Sequence, residues 1–177
     1  MRYAKLMILS AAGMAGLFSA VQASAQIYHF DSNLDPFQEV PPHNTPGYGS
    51  ADLTLDASSG TVSIDATTGM YADLLAGATT VRLQDAAVGA NGPILMTFTL
   101  DTPGNTSGTF SGAGSATLTA AQINDMVNGN TYLNITDSVF PSGEIRGQVL
   151  AVPEPASLAL LAGAGLLLSQ RRRRIVR

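Results

Sequence analysis

Between residues 27 and 151 apolar and polar residues alternate in short runs separated by Gly, Pro, Asn, Asp and Ser. A period of two is the mark of a half-buried strand. The first run is Ile27 to Leu34. Phe37-Gln-Glu-Val-Pro-Pro42 follows, where two prolines stop any ladder, and then a loop from His43 to Gly49. Tyr48 to Leu55 places Ala51, Leu53 and Leu55 on one face, and Thr61 to Ala66 does the same with Val62 and Ile64. Asp56-Ala-Ser-Ser-Gly60 joins them as a hairpin connection. Met70 to Ala76 reads as a short helical turn or irregular chain. Ala78 to Asp85 is strand-like, the loop Ala86 to Pro93 contains Asn91-Gly92, and Ile94 to Leu100 is the clearest strand of the series. After the turn-rich Thr102 to Gly108, Thr109 to Thr117 is weakly β. Ala120 to Val127 is the one helix expected, capped by Thr119 and ended by Asn128-Gly129. The pattern predicts an all-β domain.

The chain is organised around its last two runs. Thr131 to Thr136 puts Leu133 and Ile135 on one face and Tyr132, Asn134 and Thr136 on the other. Glu144 to Leu150 puts Ile145 and Val149 opposite Glu144, Arg146 and Gln148. Arg146 stands two residues from Glu144 and between Gly143 and Gly147. That arrangement points to a fixed ion pair or a close backbone crossing, against the alternative of a solvated edge.

Both ends change character. Arg2 and Lys5 precede the apolar Leu6 to Val21, and Ala23 and Ala25 supply the small residues that signal peptidase accepts. Residues 1–25 read as a secretory signal peptide, with the exported form beginning at Gln26. Residues 26–151 form the β-domain, and 152–177 a tail. In the tail the helix-refusing Pro153-Glu154-Pro155 leads into an apolar run, Ser157 to Leu168, and then Arg171, Arg172, Arg173 and Arg174. The apolar run makes a short transmembrane helix with the arginines on the cytoplasmic side, which leaves the domain outside.

Charge narrows the function classes. From Gln26 to Val152 there are two basic residues, Arg82 and Arg146, against twelve acidic ones, a net charge near −10. Such a surface repels phosphate backbones, so nucleic acid is excluded as a partner. There is no Cys, hence no disulfide, thiolate site or thiol nucleophile. His29 and His43 are read as structural or solvated. Asp31 and Asp35 are conceivable as a paired-carboxylate site, although acidic residues are scattered throughout. No calcium-loop motif is present. No catalytic, cofactor-binding or metal-ligating residue is expected.

Two resemblances add to this reading. Pro153-Glu154-Pro155, the apolar run and the arginine cluster, in that order, resemble the PEP-CTERM sorting signal of Gram-negative bacteria. The resemblance implies export, recognition by an exosortase at the membrane, and a surface or extracellular destination after transient anchoring, commonly in a polysaccharide-rich biofilm. The domain resembles the CHRD module. The resemblance is carried by Glu39, Pro41 and Pro42 of Gln-Glu-Val-Pro-Pro, by Asn91-Gly92-Pro93, by Asn134 of Tyr-Leu-Asn, and by Gly143, Glu144, Arg146 and Gly147 of Gly-Glu-Ile-Arg-Gly-Gln. It implies an antiparallel Greek-key β-sandwich or barrel. Histidines usual in that family are replaced here by Arg82, Gln84 and Thr136, so no metal role is carried over.

The function expected is therefore an exported, surface- or matrix-associated, non-enzymatic β-domain that binds protein or polysaccharide. A metal- or carboxylate-dependent enzyme on the same fold, or a purely structural matrix component, is the alternative.

Overall fold

A computed structural model describes residues 26–153. The signal segment with Ala23 and Ala25, and the tail from Glu154 through Pro155 to Arg171–Arg174, lie outside the described residues. Ten strands follow in chain order. They are β1 (Ile27–Leu34), β2 (Tyr48–Asp56), β3 (Thr61–Ile64), β4 (Met70–Ala72), β5 (Thr80–Asp85), β6 (Ile94–Leu100), β7 (Gly108–Thr117), β8 (Thr131–Thr136), β9 (Ile145–Gln148) and β10 (Leu150–Ala151). A single helix among the described residues, α1 (Ala120–Val127), precedes β8. Its capping box is complete: the Thr119 hydroxyl accepts from the Gln122 amide, and the Gln122 side chain accepts from the Thr119 amide.

All pairings are antiparallel, in the order β10-β1-β2-β3-β7-β6-β5-β8-β9. Strands β5, β6 and β7 are successive neighbours, and β8 returns beside β5. That is a Greek key. One sheet holds β10, β1, β2, β3, β4 and β7, the other β6, β5, β8 and β9. They join on one side where β6 pairs with β7 at Thr99 and Leu100. On the other side Asp35 and Arg146 exchange two backbone hydrogen bonds, of 3.0 and 3.1 Å. The sandwich is thus closed like a flattened barrel, which pairs the end of β1 with β9.

Phe30, Leu53, Leu55 and Val62 from the first sheet meet Val81, Leu83, Leu133, Ile135 and Ile145 from the second in the core. The period-two readings of these strands hold because each hydrophobic face has a single sheet to bury against. Met70 to Ala76 departs from the helical-or-irregular expectation. Met70–Ala72 is strand β4, paired to both β2 and β7, with Tyr71 buried and its hydroxyl donating to the Thr102 carbonyl at 2.9 Å. Three residues alternate too briefly to announce a strand; the flanking ladders impose it. Thr109 to Thr117, weak on propensity, belongs to the ten-residue β7, which is held by three neighbouring strands.

The polar face of β8 and β9 departs from the solvated-edge alternative. Every residue of both strands is buried. A third layer covers that face: the segment from Asp35 to Thr45, which includes a short 3-10 turn at Pro36–Gln38, and the loop Ala86 to Pro93.

A covered polar face and its cleft

Arg146 is the centre of the covered face and is 1 % exposed. One guanidinium nitrogen donates to the Ala90 carbonyl at 2.8 Å and to Asn91 Oδ1 at 3.4 Å. The other donates to the Ala87 carbonyl at 3.2 Å and to Gln148 Oε1 at 3.4 Å. The group lies 3.5 Å from the centre of the Tyr132 ring. None of these partners is a carboxylate. The expected Arg146–Glu144 pair does not form, because Glu144 turns the other way. Both of its oxygens accept from the Leu75 amide at 3.0 Å. The close crossing that the two glycines suggested does exist. A Cβ on Gly147 would press on Ser32 Oγ and the Asn33 backbone, and one on Gly143 would collide with Asn134 and Glu39.

The family-motif residues converge here. Asn91 donates to the Val40 carbonyl at 2.8 Å, which ties the loop to the covering segment. Gly92 presents its amide to the Tyr132 hydroxyl at 3.3 Å and its carbonyl to Gln84. Pro41 and Pro42, the former after a cis peptide bond, carry the segment over the sheet, and Asn134 donates to the Ser142 carbonyl at 3.1 Å. Pro93 closes the loop, its carbonyl accepting from the Asp85 amide at 3.0 Å. Glu39 is 5 % exposed, and burial pushes its carboxyl up to about 7 against the lowering pull of Arg146. Glu144 is likewise pushed up to about 7, first by burial and then by Asp137.

Beside Arg146 the two covers leave a cleft of about 390 Å³. Glu39, Arg146 and Gln148 line its floor. Phe37, Val40 and Pro42 form one wall, and Val88 and Gly89 the other. Phe37 is 67 % and Val88 79 % exposed, large apolar side chains held out at the rim.

Other candidates disperse. Asp35 caps the 3-10 turn, accepting from the Phe37 and Gln38 amides, while Asp31 sits on β1 opposite Asp52. His29 lies on β1 with its ring 3.5 Å from the Thr54 hydroxyl, and His43 packs on the Phe140 ring at 4.3 Å. Among the described residues no three His, Asp or Glu side chains come together as a metal-ligand set. Sequence reasoning did not single out Phe37, Val88 or Gln148 as site residues. An isolated apolar residue in a loop, such as Val88 before Gly89, was the signal available.

The CHRD domain model matches residues 30–149, which spans both covers and both strands of the covered face. The chain belongs to the CHRD family. Comparison with curated proteins and with solved structures returns no match. In this CHRD domain the motif residues serve mainly to hold the covers: Asn91 and Arg146 bind backbone carbonyls, Gly143 and Gly147 allow close approach, and the cleft is what their arrangement leaves open. Among the described residues no helix is long and apolar enough to cross a membrane.

Proposed function

We propose that this CHRD protein is an exported, non-enzymatic binding module of the cell surface or extracellular matrix, with the cleft beside Arg146 as its binding site for a polysaccharide. The observation that carries this reading is the pairing of an exposed aromatic wall, Phe37, with a floor of buried polar side chains. A sugar ring offers an apolar face to an aromatic side chain and hydroxyls to amides and carboxyls. The strongly acidic domain disfavours polyanions, so an uncharged polymer is the better fit. The tail supports the location. Val152 donates to the His29 carbonyl at 2.8 Å, so Pro153 follows the end of β10 beside the start of β1, and an exosortase at the membrane would meet the signal directly beyond the folded unit.

A glycan array probed with the exported protein tests the reading. Retention on uncharged polymers that is lost in Phe37→Ala and in Val88→Asp supports it. Absence of retention on every polymer, or equal retention by wild type and both variants, removes the cleft as a polysaccharide site.

A further inference from the structure

The Asn134 amide group is oriented by a backbone carbonyl. Its Nδ2 donates to Ser142 at 3.1 Å, and turning the amide over would set Oδ1 against that carbonyl. Asn134 Oδ1 is thereby directed away from Ser142, and it is buried without a hydrogen-bond partner among the described residues. Glu39 Oε1 is also buried without a partner, and both oxygens crowd the space that a side chain on Gly143 would fill. Two buried acceptors brought together repel unless a proton lies between them. Of the two groups only the Glu39 carboxyl can carry one.

We propose that the segment from Asp35 to Thr45 is a proton-operated lid on the cleft, latched by a hydrogen bond from protonated Glu39 to Asn134 Oδ1 and loosened when that proton leaves. The proposal rests on the reading of the cleft as the binding site, since the lid supplies the Phe37 wall. The groups facing Glu39 are Arg146 from β9, Asn134 from β8 and, on its own segment, the Val40 amide. Arg146 is the charged one, its donors are engaged by four other oxygens, and its pull on the Glu39 carboxyl is outweighed by burial. Burial raises the Glu39 carboxyl to about 7, so the latch switches near neutrality. Other ties are the Asn91–Val40 bond, the Gln148 amide on Gln38 Oε1 at 3.2 Å, the Gln38 side chain on the Asn33 carbonyl at 2.8 Å, the His43–Phe140 ring contact and the Asp35–Arg146 bridge.

The test needs no ligand, so it succeeds or fails apart from the polysaccharide reading. In the full chain in detergent micelles, carbon-13 NMR follows the Glu39 carboxyl while hydrogen exchange, corrected for intrinsic rate, follows the Asp35 and Arg146 amides. Their protection is expected to fall about 70-fold between pH 5 and pH 8, the ratio implied by a carboxyl raised from 4.5 to about 7. They should also exchange faster than the β5 amides at both pH values, which marks local opening. Glu39→Gln, which donates at any pH, should abolish the fall. A Glu39 carboxyl titrating near 4.5, or protection unchanged with pH, overturns the proposal. So does bridge protection equal to that of β5, or an undiminished fall in Glu39→Gln.

Discussion

The guanidinium carbon of Arg146 lies over the ring of Tyr132, 3.5 Å from its centre, across the β8–β9 ladder where Tyr132 pairs with Gln148 and Arg146 with Asn134. The contact is diagonal, within reach of two long side chains on one sheet face. It stacks the domain's most buried cation on an aromatic surface and sends its donors edge-on into the Ala86–Pro93 loop. One residue thereby joins sheet to cover.

Arg146→Ala should destabilise the domain by roughly 3–5 kcal/mol, since it removes a buried guanidinium that holds the Ala87 and Ala90 carbonyls and stacks on Tyr132. Arg146→Lys should recover little, because an ammonium has neither the fork nor the flat face. Urea unfolding reads both. A midpoint unchanged in Arg146→Ala would mean that the loop finds its partners elsewhere.

Stability should depend on pH through Glu39. Its folded-state carboxyl sits at about 7, above the ordinary 4.5. Its contribution is full below 4.5 and is lost as pH rises through 7, a fall of about 3 kcal/mol. Chemical denaturation at pH 5 and pH 8 measures the fall, and Glu39→Gln should reduce it. Glu144, raised in the same direction, adds to the slope that remains.

Gly143→Ala is expected to be among the most damaging single changes. The residue sits at φ +147, and an added Cβ would run into Asn134 and Glu39. Backbone strain and displacement of the covering segment together should cost more than about 2 kcal/mol. Thermal unfolding checks this. Wild-type stability in the variant would show that the turn can shift without moving Glu39.

Phe37→Ala should leave unfolding within about 0.5 kcal/mol of wild type, because the side chain is 67 % exposed. A larger loss would make Phe37 part of the cover's packing rather than a free rim.

Intact-mass analysis of the exported protein should find a chain starting at Gln26 and lacking Arg171 to Arg174. Retention of Met1, or of the arginines in a host that has the sorting enzyme, would refute the corresponding cleavage.

What the sequence by itself determined was local. Period-two alternation placed Ile27–Leu34, Ile94–Leu100 and Thr131–Thr136, and Thr119 with Asn128-Gly129 bounded the helix, because alternation and capping are satisfied within a few residues. The spacing of Gly143, Arg146 and Gly147 offered a close crossing or an ion pair with Glu144, and the structure holds the crossing. Only the tertiary structure decided where the polar side chains of β8 and β9 point. From alternation alone Glu144, Arg146 and Gln148 form a single outward row, equally suited to water or to a partner. The covers that bury this row come from residues 35–45 and 86–93, some fifty to a hundred positions away, and no local pattern encodes them. The same holds for β4, which is a strand because β2 and β7 leave a ladder open on either side of Met70–Ala72. Burial sets the chemistry of this face, since it separates Glu39 from water and turns an ordinary carboxyl into one that holds its proton near neutrality.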